Sequence, residues 1–134
     1  MSNYLLDTNV ISELARKKPN PSVLEFFESL DEITLSVITI EEIEFGIEKL
    51  PASQRKSLWK WWSALLSLPP IVLEIDDKVA KLAGNLRAKQ EAKGKTRSQA
   101  DMLIAATAIT QGLVLVTRNT KDFSDLGVSV LNPF

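Results

Sequence analysis

The chain has 134 residues, of which 45% are hydrophobic and 25% charged, and its formal net charge is −1. This size and composition are typical of a globular protein, and we expect a single domain over residues 1–134. The chain contains no cysteine and no histidine, which excludes disulfides, thiolate or imidazole metal sites, and catalysis by cysteine or histidine. Any chemistry must therefore use carboxylates, lysines, hydroxyls or a hard metal ion.

Short apolar runs alternate with helical patterns along the chain, and this alternation predicts a parallel α/β architecture. The predicted strands are Tyr4–Leu6, Ile33–Val37, Ile71–Glu74, Leu113–Val116 and Val128–Leu131. The predicted helices cover Thr8 to about Arg16, a segment after Pro21, Thr39 to Pro51, Ser53 to Leu68, Asp77 to about Ala92, and Ser98 to Gln111. No internal repeat or long linker divides the chain.

Four acidic residues are predicted at one edge of the sheet. Asp7 ends the first strand, and Glu42 is expected in the first turn of the helix after the second strand. Asp101 is expected in the first turn of the last long helix, and Asp122 follows the fourth strand. In a parallel α/β sheet these positions all lie at the carboxyl ends of the strands, where ligands bind.

Helix capping is the alternative explanation for these acids. Asp7 is a preferred N-cap residue, and the Thr39–Glu42 and Ser98–Asp101 segments match or nearly match the capping box. Capping alone does not require acids from separate segments to share an edge. Clustered carboxylates repel one another unless a cation compensates, and Mg²⁺ or Mn²⁺ suits such oxygen ligands.

Several blocks of sequence resemble PIN-domain ribonucleases, and within that group the VapC toxins of bacterial toxin–antitoxin pairs. The blocks are LLDTNVISEL, T-x-x-E-x-x-x-G from Thr39, D-x-x-IAATA from Asp101, VTRNTKDF and LNPF. The resemblance runs from the first strand to the last residue and is weak over residues 51–97. It implies a three-layer α/β/α sandwich around a central parallel sheet of about five strands.

The resemblance implies a metal-dependent endoribonuclease that hydrolyses RNA phosphodiester bonds with Mg²⁺, for which Mn²⁺ can substitute. By position, Asp7, Glu42 and Asp101 match the metal-binding acids of the family. Many relatives have an acid where Asn119 stands here, with another near Asp122, so Asp122 is the fourth candidate and the number of ions stays open. Polar residues that could support the acids are Thr8, Asn9, Ser98, Thr117 and Asn119.

The resemblance also implies a homodimer and a small VapB-type antitoxin that inserts a segment near the acidic groove. Ile43, Phe45 and Ile47 could line such a groove, although core packing explains them equally well. The helix of residues 53–68 has an apolar stripe that favours core packing. Its three tryptophans at positions 59, 61 and 62 cannot all point inward, so one is expected on an association surface.

A local basic patch lies between the two longest predicted helices. Five cations face one acid, Glu91, which gives a local charge of +4 (5 − 1); they are Arg87, Lys89, Lys93, Lys95 and Arg97. The patch could guide an RNA backbone, with Arg118 and Lys121 on the other side of the site. A solvated helix end explains these residues equally well.

Other functional classes fit the sequence less well. A phosphoacceptor signalling domain requires paired acids after the first strand and a lysine after the fifth, and neither is present. A nucleotide-binding module would need a glycine-rich turn after the first strand. A catalytically inactive PIN-like module that binds RNA or protein stays open. No signal peptide or apolar run of about 20 residues is visible, so we expect a cytoplasmic protein without membrane association.

Overall fold

The computed structural model describes residues 3–134, and parallel strands form its centre. The strands are β1 (Tyr4–Leu6), β2 (Thr34–Ser36), β3 (Ile71–Leu73), β4 (Val114–Val116) and β5 (Val130–Leu131). Each of them falls inside a predicted strand and is up to two residues shorter at either end.

The strand order places the end of β1 beside the end of β4. β1 pairs in parallel with β4, with Leu6 opposite Val116, and β4 pairs in parallel with β5. β2 and β3 form a second parallel pair, and β2 packs beside β1. The spatial order is therefore β3-β2-β1-β4-β5, and the chain changes sides of the sheet between β1 and β4. Ligands bind at such switch points, outside the carboxyl ends of the strands.

Helices follow each of the first four strands. They are α1 (Thr8–Leu14), α2 (Pro21–Glu28), α3 (Val37–Glu48), α4 (Ala52–Leu66), α5 (Asp77–Ala92), α6 (Gln99–Gln111) and the short α7 (Thr120–Phe123). The predicted helices agree with α1 to α6 within about two residues at most ends, whereas α7 has no predicted counterpart. Gly112 ends α6 in the left-handed conformation, with φ of 67°, which glycine adopts without a Cβ penalty.

The predicted start of the third helix is wrong. α3 begins at Val37, and its N-cap is Ser36, whose Oγ accepts the Ile38 N–H at 3.0 Å. Thr39 is therefore a buried residue inside the helix and not its cap. Glu42 consequently lies in the second turn of α3 and not in the first, so it is not part of a capping box.

The hydrophobic core lies on both faces of the strands. Because successive side chains of a strand point to opposite faces, Leu5 packs with Ala83 of α5 and Met102 of α6, whereas Leu6 packs with Val10 of α1 and Ile43 of α3. Helices α5 and α6 thus cover one face, and α1 to α4 cover the other. This arrangement is a three-layer α/β/α sandwich, which confirms the predicted fold class.

The three tryptophans of α4 are not all buried in the core, as the sequence predicts, and the association surface expected for one of them stays a prediction. Trp62 is 1% exposed, and its Nε1–H donates to Glu44 Oε2 at 3.0 Å. Trp59 and Trp61 are only partly buried. Trp61 lies against Trp62, with ring centroids 5.9 Å apart. In residues 3–134, no helix is long and apolar enough to cross a bilayer.

Candidate active site

Asp7 stands at the switch point and is held by three donors. Its Oδ1 accepts the Thr8 N–H at 2.8 Å, and its Oδ2 accepts the Thr117 hydroxyl at 2.8 Å and the Asn9 Nδ2–H at 3.3 Å. Its own N–H donates to the carbonyl of Val116 at 2.9 Å, which fixes the residue to the end of β4. Asp7 therefore caps α1 and also presents a carboxylate at the carboxyl edge of the sheet.

Thr117 joins the ends of β1 and β4. Its buried hydroxyl oxygen, besides donating to Asp7, accepts from Asn9 Nδ2 at 3.2 Å and from the Asn119 N–H at 3.0 Å. The Asn9 side chain in turn accepts the Arg118 N–H at 3.1 Å. The predicted supporting residues Asn9, Thr117 and Asn119 thus form one network around Asp7.

Glu42 is oriented from α1. The Thr8 hydroxyl donates to Glu42 Oε1 at 2.6 Å, and Thr39 Oγ1 lies 3.1 Å from the same Thr8 oxygen. A carboxylate that accepts a short O–H bond is fixed in direction. Because Thr8 is the first residue of α1, it links the acid on α3 to the same strand end that carries Asp7.

Asp101 is presented by the first turn of α6. Ser98, the N-cap residue, accepts the Asp101 N–H at 3.0 Å through its hydroxyl. This bond is half of the predicted capping box, so Ser98 acts as a helix cap, one of its two predicted roles, and it does not line the acidic pocket. Burial raises the pKa of Asp101, and the nearby Asp122 adds to the rise.

Ser98→Ala is expected to destabilise the fold by about 1 kcal/mol, because the first turn of α6 loses its side-chain cap. The free energy of unfolding measured in urea would show this difference. Ser63→Ala, on the exposed side of α4, is the matched control and should change stability by less than about 0.5 kcal/mol. Equal values for the two variants would contradict the capping role.

Three of the four predicted acids line one pocket, and the fourth does not. The pocket has a volume of about 570 Å³ and is lined by Asp7, Thr8, Asn9, Ser12, Glu13, Arg16, Glu42, Asp101, Arg118 and Asn119. The sequence analysis did not identify Ser12, Glu13 or Arg16. Ser12 and Glu13 follow Thr8 and Asn9 by four residues and so lie on the same face of α1, whereas Arg16 lies beyond the end of α1.

Asp122 is paired with a cation instead of facing the pocket. Its Oδ1 accepts from Arg97 Nη1 at 3.0 Å, and the Nε–H of Arg97 is directed at the buried Gln90 Oε1, 3.4 Å away. Two further cations of the predicted basic patch, Lys93 and Lys95, contact Asp125 at 3.7 and 3.0 Å. The Lys95 contact, with help from Gln90 and Lys93, lowers the pKa of Asp125 to about 2.

The electrostatics of the pocket disfavour the ionised form of Asp7. The pKa of Asp7 is raised from 3.8 to about 6, chiefly because the side chain is buried, and the charges of Asp101 and Glu42 raise it further. The hydrogen bonds from Thr117 and Thr8 oppose this rise without cancelling it. Buried carboxylates that repel one another are common where a cation binds or where chemistry occurs.

Comparison with known proteins agrees with this geometry. The model of the PIN domain matches residues 4–128. The match spans most of the chain, which therefore belongs to the PIN domain family. Several of its relatives are named VapC ribonucleases, which agrees with the resemblance read from the sequence.

Two relatives and two solved structures illustrate the likeness. The VapC ribonuclease Y4jK of Sinorhizobium fredii is 34% identical over 97% of this chain and 96% of the relative. The toxin FitB of Neisseria gonorrhoeae is 36% identical, with 97% of each chain covered. DNA-bound VapBC from Salmonella typhimurium superposes with a TM-score of 0.87 at 29% identity over all of both chains. FitAcB from Neisseria gonorrhoeae gives 0.82 at 34% identity over 97% of each chain.

Proposed function

We infer that the protein is an endoribonuclease of the VapC type, the toxin of a toxin–antitoxin pair, and we propose that its activity depends on Mg²⁺. One observation carries the catalytic part: three carboxylates from separate segments, Asp7, Glu42 and Asp101, line one pocket at the switch point of the sheet. Relatives named VapC ribonuclease and toxin FitB support the reaction class and the role as a toxin.

The donor set of the pocket fits a hard divalent cation. The three acids offer only oxygen ligands, which Mg²⁺ prefers, and Mg²⁺ commonly binds through one or two carboxylates and several waters. Among residues 3–134, no three acids are close enough to hold an ion directly between them. An ion bound here would therefore have water among its ligands, and its positive charge would offset the carboxylate repulsion that adds to the rise in the pKa of Asp7.

The protein contributes orientation of the acids and of the substrate. When bound, the cation supplies activation of water and neutralisation of charge on the phosphate oxygens. Thr8 and Thr117 act as positioning residues, because their hydroxyls fix the directions of Glu42 and Asp7 before substrate arrives. Since the chain has no histidine, a carboxylate or solvent must accept the proton released in hydrolysis.

An apolar groove next to the acidic pocket suits a segment of the antitoxin. It has a volume of about 310 Å³ and shares Ser12, Arg16 and Glu42 with the pocket; the other lining residues are Ala15, Ile43, Gly46, Ile47, Leu58 and Trp61. Ile43 and Ile47 line it as expected from the sequence, whereas Phe45 is 62% exposed and lines a different groove with Trp59. The FitAcB and VapBC complexes of the relatives support an antitoxin partner.

Cleavage of total RNA by the purified protein tests the catalytic proposal. We expect cleavage with Mg²⁺ or Mn²⁺ and none in EDTA. Absence of cleavage together with absence of Mn²⁺ binding by calorimetry would overturn the proposal and leave the acids as helix caps.

Light scattering tests the proposed homodimer separately, and fractionation of the host cell tests the proposed cytoplasmic location.

Asp122→Asn is expected to lower the rate of RNA cleavage by less than about tenfold and to keep its Mg²⁺ dependence. The Asp122 carboxylate binds Arg97 and does not line the pocket. Substitution of a residue that supports a metal site without touching the ion typically lowers activity by at least about 10-fold, and Asp122 is expected to have no larger effect than this. Titration of the rate with Mg²⁺ measures both quantities. A large rise in the Mg²⁺ concentration needed would instead show that Asp122 is a metal ligand.

A further inference from the structure

A second groove continues from the acidic pocket and is rich in positive charge. This cationic groove has a volume of about 340 Å³ and is lined by Glu13, Arg16, Lys18, Pro19, Asn20, Pro21, Arg118 and Phe134. Glu13, Arg16 and Arg118 line both the groove and the acidic pocket, so the two cavities are continuous. Its three cations face one acid, a charge of +2 (3 − 1).

Arg16 is fixed in the groove by a buried acid. Glu13 is 6% exposed, and its Oε2 accepts the Asn20 N–H at 2.8 Å while its Oε1 accepts from Arg16 Nη1 at 3.3 Å. Glu13 therefore anchors the loop between α1 and α2 and orients the guanidinium. The Arg16 side chain remains 66% exposed, so its other donors can reach a ligand.

Arg118 is fixed from two directions. Its N–H donates to Asn9 Oδ1 at 3.1 Å, which ties its backbone to the network around Asp7. Its guanidinium lies over the ring of Phe134, 4.9 Å from the centroid, a cation–π contact that limits side-chain motion. A cation is thus held at the mouth of the acidic pocket, on the β4 side.

The basic patch of residues 87–97 is less suited to bind phosphates. Lys93, Lys95 and Arg97 are already paired with acids within residues 3–134. Arg87 and Lys89 of the patch form no ion pair within that range, and neither do Lys18 and Arg118 of the cationic groove. Of these four cations, however, only Arg118 lines the acidic pocket, and Lys18 lies with it in the adjoining groove. Unpaired cations next to the site gain more from a bound phosphate than cations that already contact an acid.

We propose that the cationic groove binds the sugar-phosphate backbone of the RNA strand beside the cleaved bond. This inference rests on the proposed ribonuclease function and adds the path of the RNA strand over the protein surface, which runs from the acidic pocket across Arg118 toward Lys18. An acidic pocket repels the phosphates that flank the reacting one, so cations next to it are needed to hold them. The opposite patch then contributes less to binding.

Binding of a fluorescent oligouridylate, measured by anisotropy in EDTA, tests the proposal without requiring cleavage. The Asp7→Asn protein serves as the background for all variants. Lys18→Gln with Arg118→Gln is expected to weaken binding about tenfold and to reduce the slope of log affinity against log salt by about 1.4, since each contact to a single strand contributes ~0.7. Arg87→Gln with Lys89→Gln removes the same charge from the other patch and should change both values little.

Each outcome of the binding experiment either supports or overturns the proposal that the cationic groove binds RNA. Equal losses in the two double variants, or no loss in the groove variant, would overturn the proposal while RNA cleavage by the wild type could still establish the ribonuclease. Loss confined to the groove variant supports the groove even if the wild type fails to cleave, in which case the catalytic proposal alone fails. Unchanged RNA binding with weakened antitoxin binding would show a protein surface and overturn the groove proposal.

Discussion

Asp7→Asn is expected to reduce the rate of Mg²⁺-dependent RNA cleavage by more than about 100-fold. Even substitution of a residue that only hydrogen-bonds to a metal ligand typically lowers metal affinity or activity by about 10- to 100-fold, and Asp7 is proposed to be a ligand itself. The substitution keeps the size of the side chain and one carbonyl oxygen, which can still accept the Thr8 N–H. It removes the charge at the point where β1 and β4 meet. Initial rates of cleavage at saturating Mg²⁺, compared with those of the wild type, measure the effect.

Two controls separate catalysis from folding. Circular dichroism should show an unchanged fold for Asp7→Asn, since α1 keeps its cap. Asp122→Asn removes the same charge from a carboxylate that binds Arg97 outside the pocket, so it should retain most of the activity. If Asp7→Asn cleaved within tenfold of the wild type, Asp7 would be a helix cap and the site would lie elsewhere.

The convergence of Asp7, Glu42 and Asp101 could be predicted from the sequence because it follows from topology. Parallel strands share a carboxyl edge, and the helix after each strand starts there. A helix that leads directly into a parallel strand, as α6 leads into β4, must start at the same edge. A residue at the end of a strand or in an early turn of the following helix therefore reaches that edge even if the predicted boundary is wrong by two residues. This tolerance is why Glu42 reaches the pocket from the second turn of α3.

The position of Asp122 could not be predicted in the same way. It depends on α7, a four-residue helix too short to give a periodic pattern, and on an ion pair with Arg97, 25 residues earlier in the chain. The contact of Arg118 with Phe134 likewise joins two loops through space. Spacing along the chain carries no signal for contacts of this kind, whereas it does place Ser12 on the same face of α1 as Thr8.

The contribution of Asp7 to the stability of the metal-free protein is expected to fall as the pH rises from about 4 to about 7. The pKa of Asp7 is about 6 in the folded protein, against an ordinary value of 3.8 for an aspartate side chain, so the folded state holds this proton more tightly than the unfolded state does. The stabilisation is complete below the unfolded pKa and is lost as the pH passes through the folded one. A shift of this size corresponds to about 3 kcal/mol. Asp101, whose pKa is also raised, adds to the trend.

Urea unfolding in EDTA at several pH values, with Asp7→Asn beside the wild type, isolates the contribution of Asp7. The variant has no carboxyl to ionise at this position. Between pH 4 and pH 7, its free energy of unfolding should therefore change with pH by up to about 3 kcal/mol less than that of the wild type. Asp77→Asn, at the exposed start of α5, should keep the wild-type profile. Mg²⁺ should restore stability to the wild type at pH 7 and not to Asp7→Asn, because only the wild type gains a compensating charge. Parallel pH profiles for wild type and Asp7→Asn would show that burial of this carboxylate has no energetic cost, and the electrostatic argument for a cation at the end of β1 would fail.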